Sequence, residues 1–436
     1  MKFGIDAASI YLPNLYLPIQ ELAIRRNIEP EKLELGLGLK KMAVLDVHED
    51  TATLAANSLL KLFLDYDLHP KDISRIYLGT ESALDAAKPT ATYAIQLVAE
   101  TLKNKFGEEA FDHIDALDMT FACVGGVDAL QNCLDFVRVN PEKKAICIAA
   151  DYAKYALHSP GEYTQGAGAV ALLISAEPNL ISFENHWGVS TKSVFDFFKP
   201  RRYREDFPVL EAVNSGNDVV EIFSDEPVFD GQYSNECYKD RLRDAYFQLK
   251  AELNVENLYR NWHFMAFHLP YAFQGKRMFT DIFAIENGED TSTENQKVLA
   301  KSEAYLELVN QKIKPTQWAS SEIGNMYTAS IFTAFLSALT LSEEDLEGKK
   351  VGFLSYGSGS KSKVFEGRIE MGWKSVMEKV NLKGELEKRK AIDYETYENL
   401  HRKKLKNSVG EISGFKLEKI ENENPNLLGA RYYNYL

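Results

Sequence analysis

The chain has 436 residues, 45% of them apolar, and a formal charge of −14 from 64 acidic and 50 basic side chains. That length implies about two or three domain-sized units, and the acidic balance argues against a nucleic-acid surface. No apolar run reaches the length of a membrane span, and four cysteines without paired spacing point to a reducing compartment. The expectation is a soluble, cytoplasmic protein with no nucleic-acid or membrane partner.

The N-terminal run Met1-Lys-Phe-Gly-Ile-Asp carries an early acid and lacks a long apolar core, so it reads as a first strand rather than a signal peptide. Strand-like runs follow at 75–79, 145–150, 169–175, 264–267 and 350–354. Helical periodicity covers 53–65, 91–105, 124–139, 235–253 and 325–339. This alternation predicts an α/β protein with a covered central sheet. Before the first helix, Asp50 and Thr51 offer capping oxygens, and Ala55, Ala56, Leu59, Leu60 and Phe63 form one apolar face. The charged stretches 200–206, 281–303 and 376–425 read as solvated surface, with 286–295 an exposed loop. The tail after 376 is expected to pack on the second half or cover its surface.

Chemistry concentrates first at Asp118-Met-Thr-Phe-Ala-Cys123-Val-Gly-Gly-Val, where a cysteine joins an apolar run to a helix with almost no polar face. Such a helix is buried, and its first turn carries unpaired N–H groups and partial positive charge. That field favours a thiolate, and the same N–H groups can hold an oxyanion. Cys123 therefore reads as a nucleophile, the alternative being a small core cysteine.

Two segments share an order: a small-residue helix, a strand, a Gly-x-Gly turn and another strand. One copy ends at Gln165-Gly-Ala-Gly-Ala-Val, the other at Ser355-Tyr-Gly-Ser-Gly-Ser. This suggests an internal duplication, with the helix starts near Cys123 and Asn325 lining one site. Neither glycine motif has the spacing of a dinucleotide or phosphate loop, and His263 and His268 lie off the spacing of paired helical metal ligands. No metal site is readable. Three further segments place polar groups at element ends: Gly79-Thr-Glu81-Ser, Phe267-His268-Leu-Pro and Gly324-Asn325-Met-Tyr. Singly, these are as well explained by a solvated acid, a core histidine and a helix cap.

As an ordered set, however, they resemble the 3-hydroxy-3-methylglutaryl-CoA synthase family of the thiolase superfamily. The resemblance runs from Tyr11-Leu-Pro and Lys41-Met-Ala-Val through Gly79-Thr-Glu-Ser, Phe121-Ala-Cys and Gly161-Glu-Tyr-Thr-Gln. It continues through Phe195-Asp-Phe-Phe-Lys-Pro, Asp230-Gly-Gln-Tyr-Ser, His268-x-Pro, Gly324-Asn-Met-Tyr and Ser355-Tyr-Gly-Ser-Gly. It implies an α/β, thiolase-like fold of five αβαβα layers made of two duplicated halves and usually homodimeric. The halves would be 1–175, with Glu81 and Cys123, and 176–436, with His268 and Asn325. A loop insert would lie near 280–310 and a charged extension would begin near 376.

By the same resemblance Cys123 would carry an acetyl group from acetyl-CoA, and Glu81 would act as general base and then acid. His268 would polarise the acetoacetyl-CoA oxygen, with Asn325, Tyr155 and Ser358 beside the substrate. Lys276 and Arg277 are the favoured partners of the CoA phosphates, with Lys199, Arg201 and Arg202 as further candidates. The implied reaction yields hydroxymethylglutaryl-CoA for the mevalonate route to isoprenoids, using no metal or cofactor beyond the CoA thioesters themselves. Val124 stands where the family commonly has tyrosine, which bears on the shape of the acyl pocket. Two other readings stay open: a β-branching synthase of polyketide assembly, working on a carrier-protein-bound partner, and a catalytically silent acyl-binding paralogue.

Overall fold

The strand Lys144–Ala153 explains why the sequence alternates as it does. Ala145, Cys147 and Ala149 join one apolar cluster, while Ile146, Ile148 and Ala150 join another on the opposite face. A strand buried on both faces needs helices on both sides.

The computed structural model describes residues 1–204, 220–222 and 224–436. In chain order it builds β1 (Phe3–Tyr11), α1 (Thr51–Asp65), β2 (Ile73–Gly79), α2 (Thr90–Phe106) and β3 (Asp115–Met119). Next come α3 (Gly125–Val139), β4 (Lys144–Ala153), β5 (Gly166–Ala176), β6 (Ile181–Phe183) and β7 (Gly188–Thr191). The later part contributes α4 (Gly231–Leu253), β8 (Phe264–Phe267), α5 (Gln274–Glu286), α6 (Lys314–Ile323) and α7 (Ser330–Leu341). It closes with β9 (Lys350–Gly357), β10 (Lys361–Ile369), α8 (Tyr394–His401) and the strands β11 (Phe415–Ile420) and β12 (Arg431–Tyr435).

Ten strands form one sheet in the order β8-β9-β10-β6-β1-β5-β4-β2-β3, with β7 paired to β10. The pairing repeats itself. In the first half β2–β4 is parallel, then β4–β5 and β5–β1 are antiparallel. In the second, β8–β9 is parallel, then β9–β10 and β10–β7 are antiparallel. Helix α3 precedes β4 as α7 precedes β9. Helices α1 and α2 cover the outer face of the first half, α4 and α5 that of the second, and α3 and α7 lie between, giving five layers.

Both central helices are entered by the same device. Ala122 has φ 39° and Tyr327 has φ 43°, each three residues before its helix begins. A left-handed residue with a side chain costs about 1–2 kcal/mol, and here it turns the chain sharply from strand to helix. The helix starts then touch without side chains between them. A Cβ on Gly126 would meet the Thr328 carbonyl oxygen at 2.7 Å, and one on Gly79 would meet the Gly126 Cα at 2.4 Å. Asp128, one of the few polar residues of α3, ties the halves by ion pairs to Lys361 at 2.5 Å and Lys363 at 2.7 Å.

Several elements differ from the sequence-based expectation for local reasons. Helix α1 has the expected Asp50 cap, in a reciprocal box with Thr53. Helix α4 starts four residues early because Asp230 Oδ1 accepts the Gln232 and Tyr233 N–H groups, both at 3.0 Å. The second central helix begins at Ser330, since a 3-10 turn at Tyr327–Ala329 precedes it. Gly166 and Gly168 lie inside β5 rather than in a turn, whereas Gly357 and Gly359 border the turn between β9 and β10. The expected loop 286–295 is interrupted by a short helix, Thr293–Leu299, capped by Ser292. Of the charged stretch 200–206, residues 205 and 206 lie outside the described residues.

The tail divides: residues 382–389 pack on the second half as expected, against α7 and with Arg389 donating to Glu322 O at 2.9 Å, but the terminal hairpin packs on the first, with Phe415 in the cluster under α1. Phe415 N–H donates to Asn57 Oδ1 at 3.0 Å, and Arg431 and Tyr433 both bind Asp50 Oδ2, at 2.9 and 2.8 Å. Asp46 accepts the Val409 and Gly410 N–H groups. These acids sit at the start of the very helix whose cap was legible, and their second set of partners lies more than 350 residues away.

Gly324 gives a test of the close approach between halves. Its φ is +87°, and a Cβ there would meet the Gln165 carbonyl oxygen at 2.0 Å. Gly324→Ala is expected to lower stability by roughly 2–4 kcal/mol, read as a lower urea midpoint. A midpoint unchanged from wild type would contradict the tight contact.

Candidate active site

Cys123 is 8% exposed and packs with Ala153, Tyr155 and Tyr327 in a small cluster of its own. Its Sγ–H donates to Glu81 Oε1 at 2.8 Å. Glu81 stands two residues beyond β2, and the order β4-β2-β3 carries it to the sheet end where α3 begins. Parallel strands end at one edge of the sheet, so side chains far apart in sequence meet there.

The electrostatics are set by dehydration. Burial pushes the Glu81 carboxyl up to about 7; Lys199 pulls it down and Asp151 pushes it further up. Burial, and then the Glu81 charge, push the Cys123 thiol well above its ordinary range. The helix-start field expected to favour a thiolate is therefore outweighed, and the resting thiol keeps its proton. The first-turn donors expected for an oxyanion are partly spent as well, because Val124 N–H donates to Phe121 O at 3.2 Å and Gly125 N–H to Ala122 O at 3.1 Å.

Asp151, fully buried at the end of β4, organises the backbone behind the pair. Its Oδ1 accepts Thr80 Oγ1 and Glu81 N–H, both at 2.9 Å, while its Oδ2 accepts Thr328 N–H at 3.1 Å and the Thr328 hydroxyl. Burial raises its carboxyl above the usual range.

From the second half, His268 closes β8 and is 2% exposed. Its ring lies against the backbone of Tyr327 and stacks on Tyr238, whose hydroxyl donates to the His268 carbonyl at 2.8 Å. Burial lowers its pKa to about 3, so the imidazole is neutral at neutral pH, and Nδ1 is buried without a hydrogen-bond partner. Asn325 Oδ1 accepts Tyr327 N–H at 2.8 Å, and its own N–H donates to Thr164 O. This leaves the amide NH2 as its donor end. Tyr155 is held by its own N–H on Gln165 Oε1 at 2.8 Å and walled by Phe197 and Phe229. Ser358 lies in the turn after β9, next to Gly357, which packs against Phe121 O and the Val124 backbone. Val124 is fully buried there.

The basic candidates separate. Lys199 points into the site, with Nζ 3.2 Å from the Glu81 carbonyl oxygen and 3.9 Å from Oε2. Arg202 donates to Glu226 O at 2.7 Å, and Arg201 also has an interaction partner. Lys276 lies over the Phe273 ring, and Arg277 donates to Gly36 O at 2.8 Å beside Tyr271. Cys123, Glu81, Tyr155 and Tyr327 thus converge with His268 and Asn325, while Lys276 and Arg277 lie on α5 and make their contacts with Phe273, Gly36 and Tyr271. Asp151 and the inward role of Lys199 escaped the sequence reading. A signal existed for Asp151, an acid ending an apolar strand much as Glu81 does. Among the described residues no group of three His, Cys, Asp or Glu side chains is placed to hold a metal, and no helix is long and apolar enough to cross a membrane.

Comparison with known proteins matches two family models: hydroxymethylglutaryl-coenzyme A synthase N terminal over residues 1–179 and C terminal over 284–423. A Haloferax volcanii hydroxymethylglutaryl-CoA synthase is 30% identical over 91% of each chain, and one from Enterococcus faecalis 28% over 94% of each. A solved structure of MvaS in complex with 3-hydroxy-3-methylglutaryl coenzyme A is similar over 100% of this chain and 99% of that one, with 29% identity and a TM-score of 0.83.

The raised Glu81 carboxyl has a consequence for stability. Between its ordinary value of 4.5 and about 7 the native state holds more protons than the unfolded one, so this group makes stability fall as pH rises through that window. Glu81→Gln removes the titration. The variant is expected to exceed wild type in stability above pH 7 by up to roughly 3 kcal/mol and to lose the advantage below the window. Urea unfolding on either side of the window checks it; an advantage independent of pH would contradict the assignment.

Proposed function

The chain belongs to the hydroxymethylglutaryl-CoA synthase family, and from that premise we propose that it condenses acetyl-CoA with acetoacetyl-CoA through an acetyl group on Cys123. The observation that carries this is the buried Cys123–Glu81 hydrogen bond at the start of α3. It puts a nucleophile and a base on one another in a nearly dry chamber.

Sγ attacks the acetyl-CoA carbonyl while its proton passes to Glu81 Oε1. The departing CoA thiolate takes that proton and leaves as the free thiol. Glu81, ionised again, removes a proton from the methyl group of the acetyl-enzyme. The resulting carbanion adds to the ketone carbon of acetoacetyl-CoA, whose oxygen hydrogen-bonds the neutral His268 through its unpartnered nitrogen. Protonated Glu81 then delivers its proton to the new alkoxide, and water hydrolyses the cysteine thioester. The products are hydroxymethylglutaryl-CoA and one CoA. A carboxyl poised near 7 suits alternating base and acid duty.

In this reading Asn325 and Ser358 orient the acyl groups, Tyr155 walls the acyl chamber, and Lys276 with Arg277 meets the CoA phosphates. The chemistry calls for no metal and no cofactor. The residues act in supply of mevalonate in the cytoplasm. The protein works as a homodimer, a reading supported by the open edge at β3, where Leu117 is 43% exposed.

Intact-protein mass spectrometry after mixing with acetyl-CoA, followed by an acetoacetyl-CoA chase, tests the proposal. One acetyl adduct that the chase converts to hydroxymethylglutaryl-CoA is expected. An adduct that persists until a carrier-bound β-ketoacyl partner is supplied would replace the acceptor in this reading, and no adduct would overturn it. Cys123→Ala should form no adduct. Glu81→Gln should lose about 10²–10⁴-fold in condensation rate.

A further inference from the structure

A carboxylate as deeply buried as that of Glu81 cannot stay ionised on burial and a thiol contact alone, so its other neighbours decide its charge. The Glu81 side chain is 7% exposed. Around it are Cys123 from the turn before α3, Asp151 from the end of β4, Tyr155 beyond β4 and Tyr327 before α7. The thiol and the two phenols are neutral when protonated, and Asp151, if charged, is repulsive. Among the described residues, the cation beside these neighbours is Lys199, which is 18% exposed.

Its position is built rather than incidental. Lys199 follows the two-residue strand Phe197–Phe198, paired with Val228–Phe229. Phe197 packs edge-on against Tyr155 and Tyr327. Just upstream, Asp196 is fully buried and accepts Tyr356 O–H at 2.6 Å, Gly359 N–H at 2.7 Å and Ser234 O–H at 3.1 Å. This anchored segment delivers Nζ to the Glu81 carbonyl and to the face of the Tyr327 ring, 4.8 Å from its centroid. Two neutral acceptors thus hold the ammonium 3.9 Å from Oε2, while Oε1 takes the thiol proton.

We propose that Lys199 is the positioning residue of the catalytic carboxylate: its fixed ammonium favours the ionised form of Glu81 in the resting site and orients Oε1 toward Cys123. This rests on Glu81 being the base, and goes beyond it by assigning a role to a group outside the Cys123–Glu81 pair. At 3.9 Å, in surroundings less polar than water, one such charge is enough to move a carboxyl by a unit or more. The ion pair is long enough not to quench the carboxylate, because a closer bidentate contact would leave it a poor base.

The test is a pH titration of the Glu81 carboxylic-acid stretch by infrared difference spectroscopy, with Glu81→Gln as the subtraction reference. It is run on wild type, Lys199→Met, Lys199→Gln and Lys199→Arg, alongside the pH profile of condensation. The Met and Gln variants are expected to raise the midpoint at least one unit, a tenfold higher proton affinity, and to shift the acidic limb of the rate profile with it. The Arg variant should stay near wild type. Two neutral variants are used so that misfolding of one leaves the other. Unmoved midpoints in the folded neutral variants, with a uniformly lower rate, would make Lys199 merely structural and overturn the proposal. Wild type that titrates as expected yet forms no hydroxymethylglutaryl-CoA would defeat the functional reading alone, because the midpoint shift is read without turnover.

Discussion

The carboxylate of Asp151 is the constraint on which the site depends. A buried acid must fill its acceptor positions or destabilise the fold, and here the donors come from both halves of the molecule. Thr80 and Glu81 contribute from the end of β2, Thr328 from the turn before α7, and Thr328 also reaches back to the Gly79 carbonyl. Beside this knot, Gly79, Gly125 and Gly126 leave no room for a Cβ. Glu81 is therefore fixed through its own backbone as well as through its side-chain contact with Cys123.

Against that frame, two opposing fields act on Cys123. The start of α3 favours negative charge, but the same burial that sharpens the helix dipole removes the water a thiolate needs. Dehydration wins, and Glu81 adds repulsion to it. The resting site thus keeps its thiol protonated and hydrogen-bonded, so reactivity waits for a substrate that lets the proton move. A permanently ionised cysteine would be open to oxidation in the same position.

Much of this was legible in the sequence wherever the cause is local. The strand–helix junction at Cys123, the Asp50 cap and the small-residue helices announced themselves through periodicity and capping chemistry, and the repeated order of elements revealed the duplication. What stayed hidden depends on partners distant in the chain. Nothing near Lys199 says that its ammonium turns inward, because the residues that receive it, Glu81 and Tyr327, lie over a hundred positions away on either side. The downward push expected for the cysteine failed for a related reason: the helix dipole is a property of a segment, but dehydration is a property of the assembled core. Tyr327 delays the second helix by a left-handed turn that no propensity would give an aromatic residue.

The tail illustrates how far such distance reaches. His401, at the end of α8, bonds the Tyr155 carbonyl at 2.8 Å across 246 residues of chain, and Tyr397 bonds Gln165, which in turn holds the Tyr155 N–H. The surroundings of Tyr155 are thus completed by a segment distant in the chain. Contacts of such long sequence separation carry a large loop-closure cost and are gained late. The dryness of the Cys123–Glu81 pair is therefore tied, through Tyr155, to closure of the chain over 246 residues and to the seating of its own tail.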